Sequence, residues 1–203
     1  MTVVVGIDPS LTLTGCARVD LGVGADGQTE AVRWETWRGR AGRPDVETPM
    51  TNRRRIRVML REVLSIMPSS FDLAVVEGPA MGAKYTPLAD ERSGLRWMLI
   101  DQIAARGPVV IVSPSSRQVL AHSEPIPRAT TPARRKALVL ESVRSLVPDA
   151  HVPDHNVADA VALAAAGAHR LGLPMPYTAK QYRAHAVVAW PAETAAASAA
   201  RKG

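Results

Sequence analysis

Apolar runs that each end at an acidic residue dominate the hydrophobic pattern of the chain. Residues 3–7 (VVVGI) are rich in β-branched side chains and predict a buried strand that stops at Asp8. Residues 73–76 (LAVV) predict a second fully buried strand, which stops at Glu77 before a Gly-Pro break. Residues 109–112 (VVIV) predict a further buried strand. The pattern therefore predicts a carboxylate at the end of each of two buried strands.

The segments between these runs predict the rest of a sheet and the helices that cover it. A Pro-Ser turn separates the first strand from an apolar, threonine-rich run over residues 11–19, which predicts a hairpin, and residues 31–37 alternate as a third antiparallel strand. The helical spacing of apolar residues then recurs. It covers residues 51–67 behind a cap at Thr51 or Asn52, residues 86–105, residues 132–147 behind the cap Thr131, and the alanine-rich stretch behind Asp154. This order predicts one α/β domain with a central mixed five-stranded sheet, antiparallel in its first three strands and then parallel, flanked by helices.

Composition favours an anionic partner. The 203 residues are 46% hydrophobic, enough for one sizeable core, and carry a formal net charge of +6, which suits nucleic acid or an anionic membrane surface. No apolar run approaches the roughly 20 residues of a spanning helix, and no basic segment followed by an apolar one opens the chain, so we expect no membrane partner. The single cysteine, Cys16, excludes an internal disulfide and a cysteine-based zinc site. We expect a cytoplasmic protein in which Cys16 packs inside a strand.

The two strand-end acids and a third acid on a helix carry the candidate chemistry. If the strands that end at Asp8 and Glu77 are neighbours, both carboxylates lie at one edge of the sheet and repel each other unless a cation is present. A turn started by Asp8 and a salt bridge of Glu77 are the ordinary alternatives. Asp159 follows Asn156 by three residues near a helix N-terminus, where the helix dipole alone also favours an acid. Together the three acids offer the oxygen ligands that Mg²⁺ or Mn²⁺ prefers.

Arginine and lysine are concentrated on the first predicted helix and in a proline-rich segment over residues 121–135. A solvated basic face is the ordinary explanation for such residues. Contact with backbone phosphates is the functional one, and cations disfavour the N-terminal half of a helix, so helix stability does not explain them. The candidate nucleic-acid contacts are Arg53, Arg54, Arg57, Lys84, Arg117, Arg128, Arg134 and Arg135.

Three short motifs surround the three acids. They are GIDPSLTLTG around Asp8, AVVEGP around Glu77 and HNVADAVALAAA around Asp159. In this order, over residues 3–172, the motifs resemble those of the RuvC-type Holliday junction resolvases, and especially their divergent phage-type members. The resemblance implies a ribonuclease H-like fold, a homodimer, and Mg²⁺-dependent hydrolysis of phosphodiesters in four-way DNA.

The resemblance also assigns metal ligands. Asp8, Glu77 and Asp159 match three acidic positions of the family and would hold two cations per site, Mg²⁺ or in its place Mn²⁺. The family commonly has a fourth acid one helical turn before the last, and Asn156 stands at that position here. Two possibilities follow: Asp154 supplies the missing carboxylate, or the site works with three acids and the Asn156 carbonyl oxygen.

The function implied is the resolution of branched DNA by paired nicks from a dimer whose twofold axis matches that of the junction. Lys136 falls near a basic residue that the family uses in catalysis or DNA contact. A nuclease of the same fold that cuts flaps, forks or hybrids would share all these residues, and an inactive DNA-binding relative would result if Asn156 disables the metal site. The first motif also resembles the phosphate loop of actin-like sugar kinases, but a second such loop is missing, so we expect no nucleotide cofactor.

The predicted nuclease domain covers residues 1–172, and residues 173–203 form a C-terminal extension. Prolines make much of this extension irregular, and Trp190 offers an anchor on the domain. The last ten or so residues are low in complexity and lack bulky anchors, which is typical of a disordered tail or a marginal helix, and we expect disorder. Of the five histidines, His155 adjoins the proposed site.

Overall fold

A five-stranded mixed sheet forms the centre of the molecule. The computed structural model describes residues 1–79, 88–124, 126–127 and 129–192. The strands are β1 (Thr2–Asp8), β2 (Leu13–Val23), β3 (Thr29–Arg40), β4 (Leu73–Glu77) and β5 (Val109–Val112). They lie in the order β3-β2-β1-β4-β5, antiparallel from β3 to β1 and parallel from β1 to β5. The predicted sheet is confirmed, including its change from antiparallel to parallel pairing.

Helices flank the sheet, and their N-termini carry side-chain caps in most cases. Those in the described residues are α1 (Pro49–Ile66), α2 (Ala89–Ala104), α3 (Pro114–Ala121), α4 (Pro132–Leu146), α5 (His155–Arg170) and α6 (Ala179–Ala186). The caps predicted at Thr131 and Asp154 are confirmed. The cap predicted for α1 at Thr51 or Asn52 is wrong, because the Thr48 hydroxyl accepts from the Thr51 N–H and Thr51 bonds back to the Thr48 N–H. None of the helices in this part of the chain is long and apolar enough to cross a membrane.

Alternation along the central strands divides the core between two faces. Val4 and Val75 belong to the face that packs against α3, α4 and α5. Val5 and Val76 belong to the opposite face, which packs against α1 and α2. Cys16 lies on this second face and is 0% exposed, which confirms its predicted packing. The fold is thus a sheet between two helical layers, and the buried side chains of the central strands alternate between these layers.

Glycines bring α5 into main-chain contact with the sheet. A Cβ on Gly6 would collide with the carbonyl oxygen of Ala160, and one on Gly15 would collide with the carbonyl oxygen of Asn156. From the helix side, a Cβ on Gly167 would lie 2.7 Å from a side-chain methyl carbon of Val4. Because no side chains intervene at Gly6 and Gly15, the first turns of α5 are held directly over the end of β1 and the start of β2.

The C-terminal extension is more regular than the sequence predicts, since α6 lies within it. Gln181 of α6 donates a 2.8 Å hydrogen bond to the carbonyl oxygen of Leu120 in α3. Trp190 packs against the core and donates a 3.0 Å bond to the carbonyl oxygen of His185. Packing on the domain therefore orders a helix that is too short to reveal itself by apolar spacing. Residues 193–203, which include the predicted disordered tail, lie outside the described residues.

Candidate metal centre

Three carboxylates converge at one end of the sheet. Asp8 ends β1 and Glu77 ends β4, and these strands pair in parallel with Ile7 opposite Val76. Asp8 lies four residues after Val4, Glu77 lies two residues after Val75, and both valines face α5. Because side chains alternate along a strand, the two acids also project toward that helix. Asp159 lies in the second turn of α5 and completes the group. One ligand oxygen from each carboxylate lies within 4.8 Å of the other two. We call Asp8, Glu77 and Asp159 the acid cluster.

Burial and mutual repulsion work against ionisation of the acid cluster. Burial is the largest cause that raises the pKa of Asp8 well above its usual value, and the charges of Glu77 and Asp159 raise it further. Burial also raises the pKa of Asp159 to about 7, against the opposing charges of Arg117 and Lys136. A divalent cation would relieve this repulsion, and a donor set made only of carboxylate oxygens suits Mg²⁺ or Mn²⁺. The residues present therefore fit a divalent metal.

Arg117 of α3 supplies a positive charge directly to the acid cluster. Its Nε donates to Glu77 Oε2 at 2.9 Å and its Nη2 to Glu77 Oε1 at 3.4 Å. Its Nη1 donates to Asp159 Oδ1 at 2.7 Å. Burial favours a lower pKa for Arg117, but the charges of Asp159 and Glu77 outweigh it, so the pKa is raised. The residue predicted as a nucleic-acid contact thus lies among the proposed metal ligands.

The strand pairing could have located Arg117 from the sequence. Val112, the last residue of β5, lies opposite Glu77 in the parallel pairing of β4 with β5. Helix α3 begins two residues later, at Pro114. The first turns of α3 therefore start beside Glu77, and an arginine there is within reach of its carboxylate.

The two candidates for a fourth ligand occupy different environments. Asp154 Oδ1 accepts 3.0 Å bonds from the N–H groups of Asn156 and Val157, and Oδ2 accepts a 2.8 Å bond from Arg38 Nη1. Burial raises the pKa of Asp154, but these bonds outweigh it and lower the pKa below its usual value. The carboxylate is thus used for capping and for an ion pair with β3, and it lies outside the acid cluster. Asn156 is partly buried in the first turn of α5, three residues before Asp159.

A cavity of about 170 Å³ opens beside Asp159 and is rich in positive charge. It is lined by Arg117, Gln118, Arg135, Lys136, Val139, His155 and Asp159. Lys136 is exposed, and its charge adds to the effect of burial in lowering the pKa of His155. The predicted catalytic Lys136 and the predicted DNA contact Arg135 are therefore placed together next to the acid cluster.

The other predicted nucleic-acid contacts lie on the surface of two helices. Arg53, Arg54 and Arg57 are exposed on α1, where with Arg61 they line a basic groove. Arg134 is exposed at the start of α4, 3.8 Å from Glu141. Lys84 and Arg128 lie outside the described residues.

Arg55 differs from its basic neighbours because it is buried, at 6% exposure. Its Nε donates a 2.9 Å bond to the carbonyl oxygen of Leu11, and its Nη2 donates a 2.6 Å bond to Thr12 Oγ1. These bonds tie α1 to the turn that follows Asp8. The sequence contains a signal for this role, because Arg55 precedes the buried Met59 by four residues and so lies on the apolar face.

Comparisons with known proteins support the fold. No family model and no curated protein matches the chain. The structure of Thermus thermophilus RuvC matches with a TM-score of 0.50 and 21% identity, over 80% of this chain and 91% of that one. T. thermophilus RuvC in complex with a Holliday junction substrate gives 0.49 and 21%, over 81% and 90%, and the fowlpox virus Holliday junction resolvase gives 0.48 and 9%, over 84% and 99%. The resemblance seen in the three motifs is confirmed for the architecture: the chain has the ribonuclease H-like fold of the RuvC-type resolvases.

Proposed function

We propose that this chain is a metal-dependent endonuclease that resolves four-way DNA junctions as a homodimer. The observation that carries the proposal is the convergence of three carboxylates, from two strand ends and one helix, within 4.8 Å. The RuvC-like architecture and the formal net charge of +6 support it. The three motifs that resemble the resolvases supply these same three acids.

Asp8, Glu77 and Asp159 would hold two cations, Mg²⁺ or Mn²⁺. When bound, such cations supply Lewis acidity for phosphodiester hydrolysis. The chain contributes rigid positioning, because strand ends hold two of the acids and the close packing of α5 holds the third. Lys136 and Arg135, beside Asp159, would bind the phosphate and offset the negative charge that develops on it.

The basic half of α1 would bind the DNA backbone on the other side of the acid cluster. Arg55 ties this helix to the turn after Asp8, so the exposed Arg53, Arg54 and Arg57 flank the same end of the sheet. Arginine contacts of this kind position a duplex without reading its sequence. The arrangement suits a substrate recognised by its branched shape.

Cleavage of a synthetic immobile four-way junction tests the function, with matched duplex, flap, fork, RNA–DNA hybrid and single strand as controls. With Mg²⁺ or Mn²⁺ we expect paired, symmetric nicks in the junction, at least about tenfold faster than cuts in the other substrates. A supercoiled plasmid with an extruded cruciform tests pairing, because two nicks within one bound complex produce linear DNA directly and independent nicks produce a nicked circle. Equal cutting of flaps or hybrids would indicate a general structure-selective nuclease, and tight binding without cleavage would indicate a DNA-binding relative.

The affinity for Mn²⁺ is expected to rise with pH through the raised pKa of Asp159, about 7. Since the pKa of Asp159 is raised from 3.8 to about 7, a cation must displace a proton from the site below that pH. The free energy of unfolding of the metal-free protein should fall over the same range, because the unfolded chain releases a proton that the folded chain retains. Titration of Mn²⁺ and chemical denaturation in a chelator, both between about pH 5 and pH 8, measure the two trends. A metal affinity independent of pH over this range would contradict the prediction.

A further inference from the structure

We propose that Arg117 is a resident counter-cation of the acid cluster that competes with the divalent metal and is released by metal binding to contact the substrate phosphate. This inference rests on the proposed metal-dependent function. It explains why Arg117, a residue type that commonly binds phosphate, is hydrogen-bonded to Glu77 and Asp159, two of the proposed metal ligands. It also predicts that metal binding and Arg117 oppose each other.

The contacts of Arg117 engage half of the oxygens in the acid cluster. Three of the six carboxylate oxygens accept hydrogen bonds from its guanidinium: both oxygens of Glu77 and Oδ1 of Asp159. The three side chains are 12–16% exposed, so water screens these charges weakly. The fork of the guanidinium donates to both oxygens of Glu77 through one bond of 2.9 Å and a longer one of 3.4 Å, a two-pronged arrangement that arginine favours with carboxylates.

A divalent cation bound by the same carboxylates would compete with this pair. The metal needs lone pairs that Arg117 now uses, and it would lie within a few ångströms of a second positive charge in a partly buried site. Each cation therefore weakens the binding of the other, and linkage makes the two effects equal. Arg117 stabilises the acid cluster without metal and loses part of its bonding when metal binds.

The cavity beside Asp159 can accommodate the guanidinium of Arg117 after its release from the acids. Arg117 already lines this cavity together with Arg135, Lys136 and His155, and its volume of about 170 Å³ accommodates one phosphate group. Two-pronged donation to phosphate oxygens is a preferred contact of arginine. Without metal, Arg117 neutralises the acid cluster. With metal bound, Arg117 would instead contact a DNA phosphate.

The affinity for Mn²⁺ in the absence of DNA, measured from the electron paramagnetic resonance signal of free Mn²⁺ at fixed pH, tests the competition. Arg117→Met removes the competitor and is expected to lower the Kd by about five- to tenfold, the lower part of the range for coupled sites. Arg135→Met is the matched control, since it removes the same charge from the same cavity and Arg135 has no ion pair with an acid among the described residues. The control should change the Kd by no more than about twofold, as expected for an exposed charge. Arg117→Lys, which retains the charge and loses the fork, should lie between wild type and Arg117→Met.

Cleavage and thermal unfolding complete the test. At saturating Mn²⁺, Arg117→Met should cleave junctions at least about tenfold more slowly than wild type despite its tighter metal binding, because it lacks the phosphate contact. If this variant is destabilised in a chelator but still shows a thermal transition, the rise in Tm caused by Mn²⁺ replaces the Kd, and it should exceed that of wild type. An Arg117→Met variant that binds Mn²⁺ no more tightly than wild type, or gains no larger rise in Tm, overturns the inference and leaves the proposed nuclease in place. A wild-type protein that binds no Mn²⁺ overturns both.

Discussion

Replacing Asp8 by asparagine is expected to reduce junction cleavage by about a thousandfold or more, because the variant removes one of three charges that would hold the metal. The fold should survive. The pKa of Asp8 is raised by burial and by its acidic neighbours, so the ionised side chain costs the metal-free protein free energy of folding above its usual pKa. We therefore expect the free energy of unfolding of Asp8→Asn to be equal to or above that of wild type, increasingly so as the pH rises. Single-turnover cleavage and chemical denaturation in a chelator measure the two effects.

Asp154→Asn is the matched control for this variant. It also converts an acid near the start of α5 to an amide, but asparagine retains the oxygen that accepts from the N–H groups of Asn156 and Val157. The loss of the ion pair with Arg38 should have a small effect on stability, and cleavage should stay within about threefold of wild type. A large loss of cleavage in Asp154→Asn would make Asp154 a functional acid, and full activity in Asp8→Asn would exclude the acid cluster as the catalytic centre.

Adding a single methyl group at Gly6 is expected to destabilise the protein by about 3 kcal/mol or more. The Cβ of Gly6→Ala would collide with the main-chain carbonyl oxygen of Ala160 in α5, and neither main chain can rotate away as a flexible side chain would. If the variant folds, α5 must move outward and carry Asp159 away from the other two acids. A displacement of about 1 Å at a catalytic group costs roughly a hundredfold in rate. Denaturation curves and cleavage rates would show both losses.

Gly42→Ala is the control for this substitution. Gly42 is exposed in the connection after β3, and a Cβ there would meet no atom of the described residues within 4 Å. Its stability should stay within about 0.5 kcal/mol of wild type, as is usual for surface substitutions. Similar losses from Gly6→Ala and Gly42→Ala would show that the contact between α5 and β1 does not limit stability.

The sequence was sufficient to predict the sheet and the convergence of the acids, for a specific physical reason. Strands buried on both faces are nearly continuous apolar runs, so their ends are unambiguous and Asp8 and Glu77 stand out immediately. The alternating direction of side chains then sends both acids to one face of the sheet. Asp159 was a candidate only in combination with the other two acids and with the resemblance, because an acid in the early turns of a helix has an ordinary explanation in the helix dipole.

Long-range side-chain contacts were the part that the local sequence patterns did not predict. Arg55 lies in a run of arginines on α1 and Arg117 is an isolated arginine on α3, and the local sequence around neither residue identifies its partner: Arg117 pairs with the acid cluster and Arg55 bonds to the turn after Asp8. Their partners lie 40 or more residues away and become neighbours when the strands pair. Helix α6 was missed for a related reason, since its stability depends on contacts such as that of Gln181 with Leu120.

The glycine contacts of α5 also bear on how freely the rest of the core can vary. A helix that rests on side chains moves whenever their volumes change, but α5 rests on the main chain of β1 and β2 at Gly6 and Gly15. Most neutral drift in the surrounding apolar side chains would therefore leave the separation of the three carboxylates unchanged. In return, Gly6 and Gly15 tolerate no side chain. The positions of the three carboxylates therefore depend more on these two glycines than on the identity of the core residues.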